Sequence, residues 1–371
     1  MTGPAVLREP PFRVPRDRAD LQLFLQAALT LEHLTIPPYL TAMYSMRPGT
    51  NRPAFYAIRG VVLEEMLHMT LVANLLNAVG GTPLVANSRF VTGYPALLPF
   101  SRDRVTVALR HFGVKALETF LRIEQPEYLS GPPHHPSAAG DAEGWTSVGQ
   151  FYDTIREGVL RLSAQLGEQR LFSGDPARQV GPEHFYNSGG EVFAVTGLAS
   201  ALKTLKVITD QGEGVSMSVF DSDDQVFGEA REPAHYFRFN ELLQQRAYGP
   251  HDTPATGPTG PVVDVTWRDV HPIDPGAKAT HYPRGSAVRR AAEEFNEVYA
   301  QLLCLLEDAF TGAPAGIGAA APVMLRLRGL AERLYRNPHP DPAQRARGLY
   351  AAPTYEVTDR HFRRARAALA R

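Results

Sequence analysis

The chain has one cysteine, Cys304, in 371 residues. It therefore cannot form an internal disulfide or a metal site built from several thiolates. Cys304 sits in the helical run QLLCLLEDAF and reads as a small buried hydrophobe. Charge of one sign is also missing. Lys plus Arg number 38 and Asp plus Glu 39, for a net charge of -1. No global field draws the chain to nucleic acid or an acidic membrane. The basic run from Arg360 to Arg366 reads as a solvated last turn of helix. No apolar run is long enough to span a bilayer and no secretory signal pattern appears, so a soluble cytoplasmic protein is expected. Internal repeats and low-complexity tracts are absent. GEGVSM has only a superficial likeness to a phosphate loop, without its Lys or preceding strand. Asp221, Asp223 and Asp224 look like part of a calcium loop, but the required Gly and terminal Glu are missing.

What is present is a pair of Glu-x-x-His motifs, Glu65-Met-Leu-His68 and Glu232-Pro-Ala-His235. A Glu and a His three residues apart point the same way from a helix. Two such pairs, with one Glu from each of two further helices, make the ligand set of a carboxylate-bridged dinuclear metal site in a four-helix bundle. In the first helical segment Leu21, Leu25, Ala28 and Glu32 share one face, so Glu32 points inward. Pro37 and Pro38 are expected to kink or stop that helix just past Glu32. In the second, Val61, Glu65, His68, Val72 and Leu75 form a stripe, and Gly80-Gly81 ends it. Burying two polar groups on one face is costly unless they pair or bind metal. Glu64 is rotated off the stripe and reads as a neighbour rather than a ligand.

The third carboxylate is a choice between Glu124 and Glu157. Glu124 closes the inward stripe of Val114, Leu117 and Leu121, whereas Glu157 lies off the stripe of Phe151, Ile155, Val159 and Leu162; facing favours Glu124. In the fourth contribution Glu232, His235, Phe239 and Leu242 are expected on one helical face, with Pro233 near the helix start. Glu213 follows the inward stripe of the preceding helix and can replace Glu232 or add to the set. The candidate metal ligands are thus Glu32, Glu65, His68, Glu124, Glu213, Glu232 and His235. Oxygen and nitrogen donors suit Fe, Mn or Zn. Two iron ions are expected, with Mn or another divalent metal as alternatives. No catalytic residue beyond the ligands can be named. Tyr39, Tyr44, Tyr56 and Tyr236 lie near the motifs and can line a pocket; His134 and His135 sit in a polar loop.

LEHLTIPPYLTAMYS, VLEEMLHMTLVANLLNAVGG, FLRIEQPE, DQGEG and REPAHYFRFNEL resemble the ferritin-like proteins related to the iminophenyl-pyruvate dimer synthase domain, found in violacein-type and indolocarbazole-type pigment biosynthesis. The likeness covers roughly residues 17 to 245, and YAAPTYEV near residue 350 can extend it. It implies a mainly all-α chain, a ferritin-like helical bundle with long irregular insertions and extra C-terminal helices. It also implies a bound metal in many members and frequent placement in secondary metabolism. This chain lacks the further large domain of the dimer synthase itself.

The expected organisation is an N-terminal arm (1–16), a metal-binding bundle (17–247), a Pro/Gly-rich linker (248–286) with a short strand in PVVDVTW, and C-terminal helices (287–371) packing on the bundle. Those helices carry the stripes Phe295, Val298, Leu302, Leu305 and Met324, Leu327, Leu330, Leu334, faces that also suit a homo-oligomer. A short strand is expected at Val105–Ala108, and the acidic excursion from Val215 to Glu229 is placed to act as a lid. Three functions compete. The first is an O2-dependent oxidase or oxygenase of a small, aromatic or amino-acid-derived metabolite. The second is metal handling or peroxide disposal. The third is non-redox single-metal chemistry or a scaffold role. The fold does not choose among them.

Overall fold

The computed structural model describes residues 10–99, 102, 105–129, 144–185, 190–215 and 218–370. His134 and His135 lie outside the described residues. Among the described residues nine helices are ten or more residues long: α1 (Arg18–Ser45), α2 (Arg52–Ala78), α3 (Val114–Ile123), α4 (Val148–Leu166), α5 (Leu198–Glu213), α6 (His235–Gln244), α7 (Ala287–Phe310), α8 (Ile317–Tyr335) and α9 (Asp359–Leu369). Helix α1 pairs with α2 and α4 with α5; contacts of α1 with α4 and α2 with α5 close a four-helix bundle. Helices α3 and α6 pack on each other, and α6 also touches α2 and α5. The only strands among the described residues, β1 (Ala96–Leu97) and β2 (Thr106–Val107), pair antiparallel; β2 falls at the expected strand and β1 is its unanticipated partner. No helix among the described residues is long and apolar enough to cross a membrane.

Helix α1 is capped by Asp17, whose side chain accepts from the Asp20 amide at 2.9 Å. It does not stop after Glu32; it runs through Pro37 and Pro38 to Ser45. The reason is a substitute donor. Prolines at 37 and 38 remove both helical amides that could reach the Leu34 carbonyl. The Tyr94 hydroxyl, buried and brought in from the loop after α2, donates to that carbonyl at 2.7 Å. Tyr94→Phe leaves the carbonyl buried without this partner and is expected to destabilise the fold by ~1–3 kcal/mol. An unchanged urea midpoint would show that the prolines are accommodated by other means.

Helix α2 starts at Arg52 with Pro53 in its first turn and ends where Gly80 takes φ 74°. The Gly81 amide closes the end on the Leu76 carbonyl at 2.8 Å. Helices α7 and α8 pair with each other, and they reach the bundle through α2 and α1 respectively; α9 packs on α7. Their stripes are inward: Phe295, Val298, Leu302, Leu327, Leu330 and Leu334 are buried. His33 of α1 and Tyr299 of α7 are hydrogen bonded across this interface. Cys304 is buried there, and burial pushes its thiol up to about 11. The expected strand at PVVDVTW is not formed. Its backbone is satisfied piecemeal instead, by Gln245, Ala247 and the Asn51 side chain, which accepts from the Thr266 amide at 2.7 Å.

Candidate metal centre

Buried within this frame, where α3 and α6 meet the bundle, are two groups of potential metal ligands that share a residue. Glu32, Glu65 and His68 form one; Glu65, Glu124 and His235 form the other. In each group the donor atoms lie within 4.8 Å of one another and every residue is buried. Glu32 comes from the middle of α1, and Glu65 and His68 from one face of α2. Glu124 is the C-cap of α3, and His235 is the first residue of α6.

Each carboxylate has one oxygen held by a hydroxyl. Tyr152 of α4 donates to Glu32 Oε1, Tyr39 of α1 to Glu124 Oε1, and Thr35 lies 2.8 Å from Glu65 Oε2. The other oxygens face the histidines. His68 Nδ1 is 3.2 Å from Glu32 Oε2; His235 Nδ1 is 3.0 Å from Glu65 Oε1 and 3.5 Å from Glu124 Oε2. His235 Nδ1 is buried and makes no hydrogen bond, so it is a lone nitrogen aimed at two carboxylates. The distal nitrogens are both occupied. His235 Nε2 meets Glu64 Oε2 and His68 Nε2 meets Gln211 Oε1, each at 2.8 Å. Arg238 holds the far oxygen of Glu64 at 2.9 Å.

The electrostatics follow from packing three carboxylates together. Burial and the neighbouring charge of Glu124 push Glu65 up to about 7. Burial opposes charge on the imidazoles, yet Glu32 raises the His68 pKa, and Glu124, Glu64 and Glu65 raise that of His235 well above its ordinary value. Burial would also raise Glu64, but the Arg238 guanidinium and His235 outweigh it and hold the carboxyl down to about 2. Protons are thus drawn to Glu65, His68 and His235. A divalent cation answers the same excess of negative charge. The donor set of oxygen and imidazole nitrogen, with an orphaned Nδ1, fits Fe, Mn or Zn.

The placement of Glu232 corrects its expected face. Helix α6 begins at His235, so Glu232 precedes it and does not share a helical face with the histidine. Its side chain is 64% exposed, 3.4 Å from Arg238. Pro233 and the bridge of Pro233 to Phe220 hold that stretch extended. Glu213 is half-buried and lines the same small cavity, but it lies in neither group. Its two oxygens accept from the amides of Gly149 at 2.7 Å and Glu127 at 3.0 Å, and burial pushes its carboxyl up to about 7. A Cβ at position 149 would come within 2.4 Å of that carboxylate and displace it. Glu213 therefore pins the end of α5 to the start of α4. Glu157 is exposed, whereas Glu124 is brought into the centre. Of the four tyrosines named from the sequence, Tyr39 reaches the centre; Tyr44 and Tyr56 line a separate cleft of about 350 Å³, and Tyr236 lies outside both. Tyr152, Gln211 and Arg238 were not singled out. The position of Tyr152 on the inner face of α4 beside Phe151 and Ile155 was the available signal.

A family model described as Ferritin-like matches residues 25–244. Dichlorochromopyrrolate synthase of Lentzea aerocolonigenes is 27% identical, with 82% of this chain and 30% of that protein covered. The 2-imino-3-(indol-3-yl)propanoate dimerase of Chromobacterium violaceum is also 27% identical, over 62% of this chain and 25% of the relative. The chain thus spans less than a third of the length of these curated relatives. The crystal structure of a ferritin like protein from Caulobacter vibrioides has the same fold, with a TM-score of 0.58, 24% identity, and 90% and 97% of the two chains covered.

Proposed function

The chain belongs to the ferritin-like family, and we propose that it is a metal-dependent oxidase or oxygenase acting on a small aromatic or amino-acid-derived metabolite of secondary metabolism. The observation that carries the reading is the pair of buried ligand groups joined by Glu65, one of which presents the unpartnered His235 Nδ1. The names of the two curated relatives, a dichlorochromopyrrolate synthase and a 2-imino-3-(indol-3-yl)propanoate dimerase, support the metabolic setting. Glu32 and His68 would hold one ion, Glu124 and His235 the other, with Glu65 between them. A pair of iron ions supplies one-electron chemistry and O2 activation when bound; manganese is the alternative.

The chain's own residues set the conditions. Tyr152, Tyr39 and Thr35 fix one oxygen of each carboxylate, which orients the other oxygen inward. Leu31, Ile123, Val148 and Ile208 wall the cavity with apolar surface that excludes bulk water. An adjoining cavity shares Leu31, Ile123 and Val148 with it and adds Trp145 and Phe151. A second reading, metal handling or peroxide disposal, is favoured by the size of the inner cavity. Its volume is about 30 Å³, room for a water-sized ligand and not for an indole.

The deciding experiment is elemental analysis of protein expressed with ample iron, followed by anaerobic reduction and an O2 pulse under optical detection. About two irons per chain and a transient absorbing species that decays faster with added aromatic acids support the oxygenase reading. A transient unaffected by such acids but discharged by peroxide supports the second. One redox-silent ion, or none, overturns both and leaves non-redox or scaffold roles.

A further inference from the structure

The acidic excursion between α5 and α6 reaches the centre from behind. Asp223, buried in its short helical turn, accepts from Gln211 Nε2 with both carboxylate oxygens, each at 3.0 Å. That contact leaves Gln211 only one orientation. Its amide nitrogen is turned to Asp223, so its Oε1 faces His68 Nε2 at 2.8 Å. An amide oxygen can only accept, so His68 Nε2 must carry the hydrogen. Nδ1, 3.2 Å from Glu32 Oε2, shares a proton with that carboxylate while no cation is bound, and is the nitrogen freed as a ligand when a cation takes the proton's place. Were the amide reversed, its NH2 would face Nε2, the ring's hydrogen would stay on Nδ1, and His68 would offer no lone pair to a cation there. Asp223 has no direct contact with His68; its influence passes through one amide group. His235 reaches the same tautomer by a shorter route, with the Glu64 carboxylate on Nε2.

We propose that Asp223 is a positioning residue for the metal centre: by fixing the amide of Gln211, it selects the Nε2–H tautomer of His68 and so presents Nδ1 as a ligand. Through Asp223 the excursion thus supports the ligand from behind. This inference rests on the metal-centre reading for its consequence, but the hydrogen on His68 Nε2 can be read without any metal.

The test is long-range ¹H–¹⁵N spectroscopy of the imidazoles in ¹⁵N-labelled protein, read metal-free and loaded with diamagnetic zinc. Wild type is expected to show His68 with a protonated Nε2 in both states and with Nδ1 losing its hydrogen in the zinc form. Asp223→Ala is expected to mix or reverse that pattern at His68 and leave His235 unchanged. Competitive cobalt titration of the same variant is expected to show one of two binding steps weakened by ~10–100-fold, the usual effect of losing a ligand's supporting partner. The double variant Gln211→Glu with Asp223→Asn puts the carboxylate on His68 and the amide behind it. It is expected to restore both the tautomer and the affinity, which a merely structural role for Asp223 would not produce. An unchanged His68 spectrum in correctly folded Asp223→Ala, or failure of the double variant to restore it, overturns the inference. Absence of cobalt binding in wild type instead overturns the metal-centre reading while leaving the spectroscopic result to stand or fall by itself.

Discussion

Glu65→Gln is expected to abolish binding of both metal ions, whereas His68→Ala and His235→Ala each remove one. Glu65 is the only residue common to the two ligand groups found among the described residues. Loss of a supporting partner alone costs ~10–100-fold in metal affinity, so loss of a shared ligand exceeds that range. Elemental analysis after gel filtration measures the outcome. A Glu65→Gln protein that keeps one full ion with wild-type affinity would show that the two groups do not share a bridge. The fold itself is expected to tolerate the change. Burial and Glu124 push Glu65 up to about 7, so a neutral amide relieves a buried charge at neutral pH.

The same arrangement sets a pH dependence. Metal displaces protons from Glu65, His68 and His235, so affinity is expected to rise as pH rises through about 7 and to level off once these groups are deprotonated. Metal-free stability runs the other way. All three folded pKa values lie above their unfolded values, so the folded chain holds protons that the unfolded chain has shed. The metal-free fold therefore loses stability as pH rises, first above the ordinary carboxyl range through Glu65 and then above the ordinary imidazole range through the histidines. The stabilisation conferred by added metal is expected to grow from about pH 5 to about pH 8, as read by thermal denaturation. A metal-induced shift that shrinks over that interval would show that the protonated centre is not the competitor.

The helical frame and the first ligand group were legible because both follow a period. Glu32, Glu65 and His68 each sit in a helix of more than 25 residues, where an inward polar group stands out against its apolar stripe. The second group was only half legible. Glu124 and His235 occupy helix ends, at the C-cap of α3 and the first residue of α6. At such places three-residue spacing stops reporting direction, which is why Glu232 was placed on the face of His235 and lies instead on the exposed approach to it. The proline pair in α1 misled for a related reason. Its effect depends on whether a distant group supplies the missing donor, and Tyr94 does. Gln211, Tyr152 and Arg238 carry no motif at all. Their roles come from tertiary proximity; only Tyr152, on the inner face of α4, shows even its direction in the local pattern.

Arg238→Met is expected to be the most destabilising single change at the centre, by ~3–5 kcal/mol. Arg238 is 4% exposed and lies one turn after His235 on α6. Its guanidinium bonds Glu64 Oε1 at 2.9 Å and lies 3.6 Å from Asp221 and 3.4 Å from Glu232. It passes so close to α2 that a Cβ at Gly60 would sit 3.1 Å from it. Removing the guanidinium leaves the Glu64 carboxylate buried with only His235 as a charged partner, and leaves Asp221 beside it uncompensated. The urea midpoint reports the loss. The double variant Glu64→Gln with Arg238→Met removes the stranded charge and is expected to recover most of it. The acid limb carries the same signature. Glu64 is held down to about 2 in the folded chain, so its contribution is present above the ordinary carboxylate range and is lost as pH falls toward 2. In Arg238→Met that pH dependence is expected to flatten, because the folded pKa returns toward its unfolded value. The metal step assigned to His235 is expected to weaken with it, since the carboxylate that orders Nε2 is no longer fixed from behind. A variant within ~0.5 kcal/mol of wild type, with both binding steps intact, would show that Glu64 is neutral in the folded chain and that Arg238 is a spectator.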